Sequence, residues 1–133
     1  MDEFLFVYGT LRNGAAHPML HVLNSHAVPM GPGRFCGRLY DLGPYPAAVA
    51  DPSGQWQVVG EVYRILQPSP LFQQLDLYEG CAPDSPGPHE YRRSSEEVLL
   101  EDGRRLEAWI YLYLPPPPAA GQIESGDYLE GIA

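Results

Sequence analysis

The pattern of apolar and polar residues predicts a chain built mainly of β-strands. Short runs rich in Phe, Val, Tyr and Leu are bounded by glycine or proline, which is typical of strands. Asp102-Gly103 separates the last two runs and is a strong signal for a hairpin turn. Gly60 lies inside one run and indicates a bulge or a close approach of another backbone. The predicted strands are Glu3–Tyr8, Arg34–Leu42, Ala47–Ala50, Gln57–Leu66, Glu90–Leu100 and Arg104–Leu114.

Two segments carry the signals of short helices. Pro18–Ser25 begins with proline, which suits a first helical turn. In the second helix Ser69 is the expected N-cap, Pro70 the first helical residue, and Gly80 lies just past the end. Because hairpins outnumber strand–helix–strand units, the predicted class is α+β, on a curled antiparallel sheet or a small barrel. We expect residues 1–133 to form a single domain.

Composition and charge narrow the range of partners. The chain has 133 residues, 44% hydrophobic, which is enough for a core, and a formal net charge of −9. This charge disfavours nucleic acid and anionic membranes, because both bind clustered Lys and Arg. The two cysteines, Cys36 and Cys81, form no CxxC pair and predict no zinc site. The apolar run at the N-terminus is too short for a signal peptide, so we expect a cytoplasmic protein.

The first predicted strand ends in an unusual turn, which reads VYGTLRNG from Val7 to Gly14. Consecutive N–H groups in a glycine-containing turn can point into one concavity and bind an anion. Gly9 would let a ligand approach the backbone closely. A P-loop is excluded because Ala15-Ala16 stands where Lys and Ser/Thr are required. Two interpretations stay open, an anion-binding turn and a tight turn with no ligand.

The second predicted helix ends in an acidic residue on its apolar face. Leu71, Leu75 and Tyr78 share that face at helical spacing, and Glu79 projects along it, whereas Asp76 falls on the side we expect to face water. Burial and the helix dipole would both raise the pKa of Glu79, which would suit a general base at neutral pH. The alternative is a Glu79 at the rim that extends to solvent or pairs with Arg92 or Arg93.

These two segments together resemble the γ-glutamylcyclotransferase-like family, including its γ-glutamylamine cyclotransferase branch. The motifs are VYGTLRNG after the first strand and LDLYEG at the end of the second helix. Further segments resemble the family in the same order, namely GRLYDLGPYPAAV, GEVYRI, EYRR, AWIYLY and IESGDYL, so the resemblance spans nearly the whole chain. It implies a small mixed, mainly antiparallel β-barrel with two short helices and a pocket at one end.

The resemblance also implies a reaction and the residues that carry it. Tyr8, Gly9, Thr10 and Leu11 would hold the α-carboxylate of a γ-glutamyl group through backbone N–H groups, and Glu79 would be the catalytic acid/base. The α-amine of a small γ-glutamyl amine or peptide would attack its own γ-carbonyl, forming 5-oxoproline and releasing the amine. This reaction needs no cofactor and no metal.

Three points stay open at this level. The oxyanion donor could be Tyr8, Tyr91 or Tyr111. The proline-rich loop from Cys81 to His89 departs from the family pattern beside Glu79, which bears on the choice of substrate. The alternative functions are a non-catalytic small-ligand binding module on the same fold and an interaction protein with a vestigial pocket.

Overall fold

A computed structural model describes residues 3–9, 19–42, 46–82, 85, 89–118 and 120–128. It contains six strands and two helices in these segments. In chain order they are β1 (Glu3–Val7), α1 (Met19–His26), β2 (Ala27–Asp41), β3 (Pro46–Ala50), β4 (Gln57–Ile65), α2 (Pro68–Tyr78), β5 (Tyr91–Leu100) and β6 (Arg105–Tyr113).

Five of the strands close into a barrel. The order in the sheet is β3-β2-β4-β1-β6-β5, and β5 pairs back with β2 through Gly33 opposite Leu100 and Arg34 opposite Leu99. The β1–β6 pair is parallel, whereas the other pairs are antiparallel. The predicted class, a small mixed and mainly antiparallel barrel with two short helices, is therefore confirmed.

The alternation along β1 divides the core into two apolar clusters. Phe6 points into the barrel, while Leu5 and Val7 point outward beneath the helices, as the period of two in a strand requires. The cluster inside the barrel includes Phe6, Phe35, Leu39, Val58, Val62 and Ile110. The cluster under the helices includes Leu5, Leu23, Tyr63, Leu71, Phe72 and Leu75.

Strand β2 begins earlier than the sequence predicts, at Ala27 rather than Arg34. Residues 27–33, which are rich in glycine and proline, lie outside the predicted strand, but they pair with β4, with a register shift between Pro29 and Gly31. A bulge of this kind lets a strand continue through residues that break regular pairing.

Helix α2 also begins earlier than predicted. Its N-cap is Gln67, and no side chain caps its first turn, so the assignment of Ser69 as N-cap is wrong. Leu71, Phe72 and Leu75 are buried, whereas Tyr78 is 43% exposed, so the apolar face is centred nearer Phe72 than the sequence indicates.

The segment after β6 packs back on the barrel. Ile123 donates its backbone N–H to Leu39 O at 2.7 Å, Val59 donates to Gly126 O at 2.7 Å, and Tyr128 is buried. None of the helices in the described part of the chain combines the length and the apolar character needed to cross a bilayer.

Candidate active site

The end of β1 places Tyr8 and Gly9 against the start of β3. Both residues are buried. A Cβ added at Gly9 would lie 2.6 Å from Pro46 Cγ, so only glycine fits here without a shift of the proline ring. Tyr91 on β5 donates its hydroxyl to Pro46 O at 2.6 Å, which fixes the start of β3 relative to β5. Thr10 and Leu11, the other two predicted binding residues, lie outside the described residues.

The hydroxyl of Tyr8 is held by the main chain. It donates to the backbone carbonyl of Tyr111 on β6. The backbone of Ala48 on β3 also hydrogen bonds it. Burial, with a contribution from the negative charge of Glu79, raises the pKa of Tyr8 above its ordinary value. Tyr8 is therefore a neutral, fixed phenol at physiological pH.

Helix α2 places Glu79 at its C-terminal end. Glu79 is the C-cap residue and donates its backbone N–H to Leu75 O at 2.8 Å. Gly80 follows with a φ of 74°, the left-handed conformation that ends helices and that favours glycine. The predicted end of this helix is therefore confirmed.

Glu79 and Tyr8, from distant parts of the chain, lie close enough to interact electrostatically. The charge of Glu79 acts on the phenol of Tyr8, which is one of the causes of the raised pKa of that phenol. Burial raises the pKa of Glu79 itself from 4.5 to about 7, and the neighbouring Asp76 carboxylate adds to this shift. The rise predicted from burial is confirmed, and the charge beside Glu79 that contributes to it is Asp76.

Asp76 is the residue that the sequence reasoning missed. It does not face open water, because Arg93 on β5 contacts its two oxygens at 2.9 Å from Nε and 3.2 Å from Nη2. Tyr111 donates its hydroxyl to Asp76 Oδ1 at 2.6 Å. Arg93, one of the two arginines considered as a partner for Glu79, pairs with Asp76 instead.

A signal for Asp76 was present in the sequence but is weak. An aspartate three residues before a buried glutamate lies one helical turn away on a neighbouring face, and EYRR supplies arginines on a later strand. Helical periodicity alone cannot tell which strand covers that face, so Asp76 was assigned to solvent.

The three tyrosines considered as oxyanion donors all donate to protein oxygens. Tyr8 donates to Tyr111 O, Tyr91 to Pro46 O, and Tyr111 to Asp76 Oδ1. In this conformation the hydroxyl protons of all three tyrosines are used in hydrogen bonds within the protein.

Cys81 lies just past the helix and is partly buried. Burial, with the charges of Asp76 and Glu79, raises the pKa of its thiol to about 11. A thiol with so high a pKa is a poor nucleophile at neutral pH.

The arrangement can accept and return one proton through the partly buried carboxyl of Glu79. Glu79 is divided between its charged and neutral forms near neutral pH, because its pKa is about 7. Asp76 is already engaged by Arg93 and Tyr111. Within the described residues, no three His, Cys, Asp or Glu side chains are placed to share a metal ion.

The chain belongs to the AIG2-like γ-glutamyl cyclotransferase family, whose model matches residues 5–130. A γ-glutamylcyclotransferase family protein of Escherichia coli K12 is 35% identical over 130 residues, covering 95% of this chain and 96% of that protein. These matches confirm the family resemblance and the prediction of a γ-glutamylcyclotransferase-like enzyme.

Solved structures share the fold. An AIG2-like protein of Mus musculus superposes with a TM-score of 0.67 at 25% identity, covering 88% of this chain and 80% of the mouse chain. An uncharacterised protein of Pyrococcus horikoshii superposes with a TM-score of 0.69 at 26% identity, covering 98% of this chain and 92% of that one.

Proposed function

We propose that this protein releases 5-oxoproline from a γ-glutamyl amine or peptide, with Glu79 as the acid/base. The observation that carries the proposal is the position of Glu79, a largely buried carboxyl with a pKa of about 7 that acts electrostatically on Tyr8. A buried acid is costly for a fold unless it has a partner or a function. Its neighbour Tyr8 begins the turn that would bind the substrate.

The proposed reaction is a ring closure within the substrate. The Glu79 carboxylate takes a proton from the α-ammonium group, and the free amine attacks the γ-carbonyl carbon. A new C–N bond closes the five-membered ring, and the original bond to the leaving amine breaks. Glu79 then returns its proton to the leaving nitrogen as that bond breaks. The attacking nitrogen gives up its second extra proton to the departing amine, which leaves as an ammonium ion, so the ring becomes a neutral lactam and the enzyme ends in its starting state.

The turn after β1 would bind the substrate. In this proposal the backbone N–H groups of Gly9, Thr10 and Leu11 hold the substrate α-carboxylate, and Tyr8 fixes the start of the turn. Two observations support this role for the described half of the turn. Gly9 is buried against Pro46, and Tyr8 is anchored to β6. Holding the reacting groups in place can supply an effective molarity of about 10⁵ M or more.

The experiment that tests the function is a survey of turnover. Purified protein is incubated with γ-glutamyl amines and γ-glutamyl peptides, and 5-oxoproline is measured by mass spectrometry together with the released amine. We expect equal amounts of the two products from at least one of these compounds. If compounds of the panel raise the melting temperature of the protein but none yields product, the result would contradict the proposed cyclotransferase activity and favour a binding module.

We also propose that residues 1–133 form one domain. The support is that all six strands of the described chain belong to one hydrogen-bonded sheet, with both helices packed on it. Limited proteolysis should then yield no stable fragment that unfolds separately from the remainder.

A further inference from the structure

Tyr111 connects Tyr8 to Asp76, the first through its backbone carbonyl and the second through its side-chain hydroxyl. Its backbone carbonyl accepts the hydroxyl of Tyr8, which lies at the head of the proposed binding turn. Its own hydroxyl donates to Asp76 Oδ1, one helical turn before Glu79. A single residue of β6 thus ties the end of β1 to the end of α2.

Asp76 is held on its other side by Arg93. The two-point contact of this arginine with both carboxylate oxygens fixes the orientation of the Asp76 side chain. The guanidinium also lies 3.9 Å from the centre of the Phe72 ring on α2 and 4.7 Å from that of Trp109 on β6. Both members of this ion pair are partly buried, with 26% of the Arg93 side chain and 16% of the Asp76 side chain exposed, so water screens their charges less than it would at the surface.

The groups coupled to Glu79 lie on several elements. Asp76 acts on Glu79 from α2, and the charge of Glu79 acts in turn on Tyr8 at the end of β1 and on Cys81 after the helix. Arg93 on β5 and Tyr111 on β6 act through Asp76. The two phenols and the thiol are neutral at pH 7 because their pKa values are raised, so the fixed charges are those of Asp76 and Arg93.

We propose that Asp76 is a positioning residue, which Arg93 and Tyr111 hold so that it fixes the end of α2 against β6 and places a fixed negative charge beside Glu79. This inference rests on the proposed function, since it gives Glu79 the role of acid/base. Asp76 does not contact substrate in this account. It acts by holding Glu79 next to Tyr8 and by disfavouring the charged form of the Glu79 carboxyl.

Two variants separate the charge from the mechanical link. D76N keeps the size of the side chain but removes its charge, so the pKa of Glu79 should fall by roughly one pH unit. Y111F removes only the hydroxyl bond to Asp76, and the main-chain bond to Tyr8 stays. We expect Y111F to lower kcat roughly tenfold with little change in KM, and to leave the titration of Glu79 nearly unchanged.

The measurements are the ¹³C NMR titration of the Glu79 side-chain carboxyl and the pH profile of kcat/KM. E101Q is the matched control, because Glu101 lies on the exposed turn between β5 and β6. Near-identical titrations of Glu79 in wild type and D76N would overturn the inference, as would full kcat in Y111F. The NMR titration needs no turnover, so the inference can fail while the proposed function stands. Conversely, full cyclase activity in E79Q would reject the proposed function whatever the titration gives.

Discussion

At the scale of single residues, the site depends on how burial changes an ordinary carboxyl. An exposed glutamate is a weak base at pH 7, because its ordinary pKa is 4.5. Burial at the end of α2, with Asp76 nearby, raises this pKa to about 7. The sequence predicts the rise from the position of Glu79 on the apolar face. It does not predict the contribution of Asp76, because Arg93 and Tyr111 come from strands far along the chain.

The first prediction concerns the pH dependence of activity. The general base must be deprotonated in the free enzyme, so kcat/KM should fall as the pH drops below about 7, approaching tenfold per pH unit. Initial rates from about pH 5 to about pH 8 measure this limb. A flat profile across that range would contradict the assignment of Glu79.

The second prediction concerns stability and needs no substrate. The carboxyl of Glu79 binds its proton more tightly in the folded state, with a pKa of about 7 against 4.5. Its contribution to stability is therefore fully present at low pH and is lost as the pH rises through about 7. E79Q lacks this titration, so its free energy of unfolding should increase relative to wild type between about pH 5 and about pH 8. Urea denaturation at each pH measures the difference, and parallel curves would contradict a buried Glu79.

At the scale of elements, helix α2 is positioned by its apolar face. The leucine spacing predicts the helix and its end at Gly80, and both are confirmed. It does not predict the start, because the proline at 68 already occupies the first turn without a capping side chain. The leucine spacing also fails to predict the exposure of Tyr78, which faces solvent because the barrel lies against the Phe72 side of the helix.

The third prediction compares two leucines of this helix. Leu75 is fully buried in the cluster under the helices, whereas Leu77 is 64% exposed. L75A should lower the free energy of unfolding by about 2–5 kcal/mol, since it leaves a cavity. L77A should change it by less than about 0.5 kcal/mol. Urea denaturation of both variants tests this, and equal effects would contradict the packing of α2.

At the scale of the whole molecule, the closed barrel decides which distant residues meet. The parallel β1–β6 pair places the end of β1 beside Tyr111, and α2 lies over the same region. The strand pattern leaves a curled sheet and a small barrel both open, and only the family resemblance selects the barrel, because alternation identifies strands but not their partners. For the same reason, the sequence identifies Tyr8 and Glu79 as candidate site residues, but it does not predict the hydrogen bonds through Tyr111 and Asp76 that link their two segments.

The fourth prediction concerns the close packing of the barrel. A Cβ added at Gly60 would lie 2.3 Å from Val7 O and 2.5 Å from the Phe6 ring, which confirms the close backbone approach expected there. G60A should therefore destabilise the protein by roughly 1–3 kcal/mol, because the β1 backbone cannot move away easily. Gln57 is an exposed residue of the same strand, so Q57A should change stability by less than about 0.5 kcal/mol. Thermal and urea denaturation measure both, and an unchanged G60A would contradict the packing.

The most direct test of the account is kcat of E79Q beside wild type, with 5-oxoproline as the measured product. Glutamine keeps the shape of the side chain but cannot accept the proton, so kcat should fall by about 10²–10⁴ while the protein stays folded. E101Q, measured in parallel, should retain the wild-type rate. An E79Q protein that forms 5-oxoproline at the wild-type rate would contradict the central claim that this buried carboxyl moves the proton.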